Sequence, residues 1–80
     1  MKYSHEEILD HTKQILIRLF ELDESMLTPD ARLYEDLDID SIDTVDMLIE
    51  LKRFTGANVK PEHFKQARTL QDIVEAVAKL

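Results

Sequence analysis

The segment Asp36-Leu37-Asp38-Ile39-Asp40-Ser41-Ile42-Asp43 holds the residues with the widest chemical scope in this chain. Asp36, Asp38 and Asp40 alternate as the first ligands of a calcium-binding loop do, since hard cations take oxygen donors at that spacing. The rest of the loop does not follow. Counted from Asp36, Ser41 stands where an invariant glycine should turn the chain, and Met47 stands where a bidentate glutamate should close the coordination. No selective metal site is expected, although the three carboxylates leave weak divalent binding open.

Nucleophilic catalysis requires a base beside the nucleophile. His5 and His11 fall on or near the first helical segment and His63 near a short later one, none within a catalytic motif. No glycine-rich phosphate loop is present, and no carboxylate pair has an evident cleft. Ser41 is different. At the start of a helix its hydroxyl escapes packing and lies beside free backbone N–H groups and the positive end of the helix dipole, where an esterified phosphate is stabilised. An ordinary helix-start serine would look the same from this position alone.

The elements that position these residues can be read from periodicity. With one Gly and two Pro among 80 residues, the apolar spacing predicts an all-α fold. A first helix is expected from Ser4 to Leu22, opened by a Ser4/Glu7 capping box. Its apolar stripe is Ile8, Thr12, Ile15, Leu19 and Leu22, widened by Leu9, Leu16 and Phe20, with Ile17 on the polar side. A long connection from Asp23 to Ile39 contains the turn signal Thr28-Pro29-Asp30. Its apolar residues, Met26, Leu27, Leu33, Tyr34, Leu37 and Ile39, are expected to close over the core.

A second helix starts at Asp40 or Ser41, with Asp40 and Asp43 as a capping box, and stops at Thr55 with Gly56 in the left-handed C′ position. Ile42, Val45, Met47, Leu48, Ile49, Leu51 and Phe54 cover most of its circumference, which predicts packing on several sides. Asp43, Asp46 and Glu50 share the remaining narrow stripe, which Arg53 ends. Pro61 suits the first turn of a short helix to Lys65. A last helix follows Thr69, with a Thr69/Asp72 box and a stripe of Leu70, Ile73, Val74, Val77 and Leu80. The expectation is one domain, residues 1–80, with three longer helices and one short helix.

Composition narrows the function. A formal net charge of −7 disfavours nucleic acid and anionic lipid and favours partners that present Lys and Arg. There is no cysteine, hence no disulfide framework and no thiol for thioester chemistry unless one is borrowed. No signal-like or bilayer-spanning apolar run occurs, so a cytoplasmic location is expected, with no membrane insertion.

Taken together, Asp40-Ser41-Ile42-Asp43, the helix Thr44-Val45-Asp46-Met47-Leu48-Ile49-Glu50-Leu51, then Phe54 and Gly56, resemble the phosphopantetheine-attachment region of acyl carrier proteins. The likeness extends upstream through Leu27-Thr28-Pro29-Asp30-Ala31 and Leu33-Tyr34-Glu35-Asp36-Leu37. Downstream it takes in Val59, Pro61 and Thr69-Leu70-Gln71-Asp72. Two departures stand out. The family usually has Gly where this chain has Asp38, and Leu or Met where it has Ile42. Asp tolerates left-handed backbone better than most residues, so the turn is expected to survive.

The resemblance implies a four-helix acyl-carrier-like bundle that is a carrier and not an enzyme. A phosphopantetheinyl transferase would move the arm of coenzyme A onto Ser41, supplying the thiol the chain lacks. Asp40, Asp43, Asp46 and Glu50 would dock on basic patches of acyl-transfer, ketosynthase, ketoreductase and dehydratase enzymes. Leu48, Leu51, Val59 and Phe64 would line a shelter for the acyl chain. The expected pathway is fatty-acid or polyketide-type synthesis. Val59-Lys60-Pro61-Glu62-His63-Phe64 with Arg68-Thr69-Leu70-Gln71-Asp72-Ile73-Val74 is similar to carriers of aryl-polyene pathways. An aminoacyl or peptidyl carrier, an unmodified acidic adaptor and a small divalent-cation binder are the alternatives. A monomer is the expected state.

Overall fold

The computed structural model describes residues 2–80 and is all-helical, with three longer helices and short 3₁₀ turns. Helix α1 spans His5–Phe20, α2 spans Ser41–Thr55 and α3 spans Leu70–Ala78. A 3₁₀ helix, Pro61–Phe64, is the short fourth element, and a further 3₁₀ turn, Glu24–Met26, lies in the long connection. Helix α1 packs against both α2 and α3, and the Pro61–Phe64 helix packs against the same two.

All three expected capping boxes form. Ser4 Oγ accepts the Glu7 N–H at 3.1 Å while Glu7 accepts the Ser4 N–H at 3.0 Å. Asp40 and Asp43 reciprocate at the start of α2, and Thr69 and Asp72 at the start of α3. Each box satisfies backbone donors that the first helical turn leaves without partners. Gly56 ends α2 in the left-handed region, with φ 71°.

Several boundaries and faces differ from the sequence expectation. Helix α1 stops at Phe20 and not Leu22, because Glu21 turns left-handed at φ 54° and its N–H closes on the Ile17 carbonyl. Leu19 is exposed, whereas Ile17, expected on the polar side, packs against the core. The short helix is 3₁₀ and ends at Phe64, one residue before Lys65. In the long connection Leu27, Leu33, Leu37 and Ile39 do close over the core, but Met26 and Tyr34 remain exposed.

The larger correction concerns α2. Only Met47, Leu48 and Leu51 are buried, so the helix is not packed on several sides. Ile42, Val45 and Ile49 are 74%, 45% and 44% exposed and form one apolar ridge at i, i+3, i+7. A small domain has too few elements to cover a helix on every side.

The core is built from Ile8, Ile15 and Leu16 of α1, the α2 trio, Leu70, Ile73, Val74 and Val77 of α3, and the loop leucines. Thr12 is fully buried and donates its hydroxyl to the Ile8 carbonyl at 2.6 Å, so its polar atom is satisfied. The long connection is tied to the start of α3 by backbone bonds. Leu33 N–H donates to the Arg68 carbonyl at 2.8 Å, Leu70 N–H to Ala31 at 3.1 Å and Gln71 N–H to Pro29 at 3.0 Å. These bonds dock the loop on the chain around Arg68, at the start of α3.

Candidate functional site

Ser41 is the first residue of α2 and is exposed. Its position is set from both sides. Upstream, Ile39 N–H donates to Leu33 at 2.8 Å, and Asp38 takes up φ 56°, the left-handed conformation for which glycine is favoured. The expected turn is made with Asp in that place, a residue that enters this region more readily than most. Downstream, Asp40 Oδ1 accepts the N–H of Ile42 at 3.0 Å and of Asp43 at 2.9 Å, and Asp43 accepts the Asp40 N–H at 3.4 Å.

That capping corrects one expectation. The N–H groups of Ile42 and Asp43 are not available to a phosphate on Ser41, because the Asp40 carboxylate holds them. The Thr44 N–H goes to the Asp40 carbonyl at 3.0 Å. Among the described residues, Ser41's own N–H is the first-turn donor left without a protein acceptor.

Two crevices open at Ser41. One, of about 300 Å³, is lined by Arg32, Tyr34, Ile39, Thr44, Phe64 and Arg68, among others. The other, of about 240 Å³, is bounded by Val45, Leu48, Pro61, Phe64 and Lys65. Thr44 and Phe64 face both, so these two side chains divide the space. Of the four residues expected to shelter an acyl chain, Leu48 and Phe64 line the second crevice. Leu51 and Val59 are buried in the core and do not reach its wall.

The acidic stripe is not uniform. Asp40 and Asp43 are engaged in the cap, and Asp46 is exposed with no ion pair among the described residues. Glu50 is a different case. Its side chain is only 20% exposed and is held between Arg18 of α1 and Arg53, the latter at 3.3 Å. Negative charge is thus concentrated toward the Ser41 end of α2, while Lys52 and Arg53 sit in its last turn.

Around the crevice, Arg32 pairs with Glu35 at 2.6 Å and with Asp36 at 3.4 Å. The Arg32 N–H, donated to the Asp36 carboxylate at 2.8 Å, holds that carboxyl below its usual range. Asp36 is therefore committed to the loop. Asp38 supplies the turn and Asp40 the cap. Among the described residues, no group of three or more His, Asp or Glu is arranged to hold a metal ion.

The histidines stand apart from Ser41's crevices. His11 stacks on Phe54 with centroids 3.6 Å apart, and His63 Nδ1 accepts the Lys60 N–H at 2.9 Å. Both serve packing and backbone geometry. No histidine lines either crevice, and the two carboxylates that do are engaged elsewhere, Asp40 in the helix cap and Glu35 with Arg32, which suits an acceptor hydroxyl and not a catalytic one.

Comparison with known proteins bears on this geometry. The phosphopantetheine attachment site family matches residues 10–77, spanning Ser41, both crevices' walls and all but the start of α1. A protein of Ralstonia nicotianae named acyl carrier protein 2 is 46% identical over 74 residues, covering 92% of this chain and 91% of its own length. Acyl carrier proteins of Rubrobacter xylanophilus and Thermotoga maritima are each 34% identical, over 92% and 95% of this chain and 91% and 94% of their own lengths.

The chain belongs to the acyl carrier protein family. It is accordingly a carrier and not an enzyme, and its cofactor is phosphopantetheine. The residues present fit that group. An exposed hydroxyl at a helix start, with crevices on either side, leaves room for a phosphodiester and its arm. When attached, the arm supplies the terminal thiol that this cysteine-free carrier lacks.

Sequence reading found Ser41, Leu48 and Phe64 but missed the other crevice residues. Val45 was open to discovery, since Ser41, Val45 and Leu48 follow i, i+4, i+7 on one helical face. Arg32, Tyr34 and Arg68 carried no such signal, because the loop-to-α3 hydrogen bonds that bring them in are not periodic.

Proposed function

We propose that Ser41 carries the phosphopantetheine arm and that the protein presents thioester-bound acyl groups to synthesis enzymes of the fatty-acid or polyketide type. The aryl-polyene branch is the finer reading of the pathway, supported by the chain's likeness around Val59–Phe64 and Arg68–Val74. The observation that carries the assignment is the exposed Ser41 hydroxyl at the first position of α2, within the family-matched region and open to two crevices.

Partner enzymes dock on the Ser41 end of α2. The apolar ridge Ile42, Val45 and Ile49 offers buried contact, and Asp40, Asp43 and Asp46 offer charge to basic patches. Complementary charge raises encounter rates without demanding tight binding, which suits a carrier that must leave again. Glu50 belongs to the same face with part of its charge already balanced. The acyl chain shelters between α2 and the Pro61–Phe64 helix, against Leu48 and Phe64, with Leu51 and Val59 as the core behind them. The phosphopantetheinyl transferase is the first partner. The protein acts as a cytoplasmic monomer formed by one domain, and among the described residues no helix is long and apolar enough to cross a membrane.

Intact-mass spectrometry after incubation with coenzyme A and a broad-specificity transferase tests the assignment. The native chain should gain one phosphopantetheine, and Ser41→Ala should gain none. A folded native chain that gains nothing with several transferases would defeat the carrier reading and leave an unmodified acidic adaptor.

A further inference from the structure

A phosphodiester on Ser41 enters a neighbourhood short of positive charge. Asp40 and Asp43 stand within the same helical turn, and the N–H groups that ordinarily favour an anion there are already bonded to Asp40. The compensating cation must come from another element. Three basic side chains line the crevices at Ser41: Arg32 and Arg68 on one side and Lys65 on the other.

They are not equivalent. The Arg32 guanidinium is taken by Glu35 and Asp36. Arg68 makes no side-chain ion pair or hydrogen bond among the described residues. Asp72, on which the Arg68 charge is the smallest of the influences, is bonded instead by the N–H groups of Arg68 and Thr69, at 2.9 and 3.2 Å. The backbone of Arg68 is thus fixed on both sides, its N–H to Asp72 and its carbonyl to Leu33, while its side chain stays uncommitted. Lys65 is also uncommitted, but an ammonium is a strongly hydrated point charge. A guanidinium offers a planar fork that matches two phosphate oxygens at once.

We propose that Arg68 is the counter-cation of the arm's phosphodiester and holds that group on the side of Ser41 where Arg68, Tyr34 and Thr44 line the crevice, leaving the distal arm free to reach the other one. This rests on the reading that Ser41 is the modified residue. Arg68 is here a positioning residue for the arm. A carboxylate at the end of an acyl group is a second source of the same anionic chemistry, and the test separates the two.

The modified carrier is prepared with coenzyme A, checked by intact mass, and followed by the arginine Nε–Hε resonances and the ³¹P resonance of the arm. Modification by the unloaded arm should shift the Arg68 Nε–Hε resonance and leave that of Arg32 in place. Arg68→Gln should move the ³¹P resonance from its native position, Lys65→Gln should not, and raised salt should shrink the Arg68 shift. Arg68 is exposed, so the variant should keep the native amide spectrum away from the substituted position. An Arg68 resonance unmoved on a modified chain overturns the inference while leaving Ser41 as the attachment site. A ³¹P shift that follows Lys65→Gln overturns it in favour of the other crevice. Movement of Arg68 only after loading with a malonyl group overturns it in favour of carboxylate recognition. Absence of any mass gain removes the attachment reading and this inference with it.

Discussion

Arg18 of α1 reaches across to the carboxylate of Glu50 on α2, and Arg53 bonds the second oxygen of the same carboxylate at 3.3 Å. The third member of the acidic stripe is therefore partly neutralised from within the molecule. Asp46, one turn earlier, has no such partner among the described residues.

Docking should follow that asymmetry. At low salt, Asp46→Asn is expected to slow association with a basic-patched partner several-fold, and Glu50→Gln less than twofold. Modification rates by a transferase at subsaturating carrier, with and without added salt, read this directly. Equal losses from the two variants would show that the intramolecular pairs do not shield Glu50. The pair itself is exposed on the Arg18 side, so Glu50→Gln should cost at most about 1 kcal/mol of stability.

The two sides of α2 should separate stability from docking. Leu51 is fully buried, and Leu51→Ala is expected to cost about 2–5 kcal/mol in denaturant unfolding. Ile49, only two residues away, is 44% exposed on the apolar ridge. Ile49→Ala should change stability by about 0.5 kcal/mol or less and appear instead as weaker partner binding. A large loss of stability from Ile49→Ala would mean that the ridge is packed in solution.

Left-handed positions offer a backbone test. Glu21 and Asp38 both have positive φ, at 54° and 56°, a conformation that costs an L-residue about 1–2 kcal/mol. Glu21→Gly is expected to raise thermal stability slightly, and Asp38→Gly to be neutral or stabilising. Asp38→Val should be destabilising by about 1–2 kcal/mol, because a β-branched side chain suits that region least. Gly56→Ala should also destabilise, for conformational reasons alone, since an added Cβ meets nothing within 4 Å.

Acid should loosen the loop and the start of α3. The Arg68 and Thr69 N–H groups hold the Asp72 carboxyl below its ordinary value of 3.8, and the Arg32 N–H does the same for Asp36. A carboxyl depressed in the folded state adds stability that is complete above its unfolded value and is lost as pH falls through the lower folded value. Stability should therefore fall with pH below the ordinary value of 3.8. Asp72→Asn and Asp36→Asn should each flatten that slope in urea unfolding followed across pH. An unchanged slope in both variants would exclude these carboxyls as its source.

What the sequence determined by itself is local. The Ser4/Glu7, Asp40/Asp43 and Thr69/Asp72 boxes and Gly56 mark helix ends through contacts within three or four residues, so spacing alone carries them. Ser41 was legible for the same reason, because the cap beside it marks the first position of the helix. The end of α1 was not, since Glu21 is an ordinary residue in an uncommon conformation.

Tertiary structure decided the rest. An apolar residue on α2 is buried or exposed according to which neighbour reaches it, so Met47 and Leu51 went to the core and Ile42 and Ile49 to solvent. Arg68 lies 27 residues beyond Ser41, and the two line one crevice because the long loop docks on the start of α3 through backbone bonds, Leu33–Arg68 among them. Periodicity reports contacts along one element. Where separate elements meet depends on packing and on hydrogen bonds between distant segments, which leave no regular spacing to read.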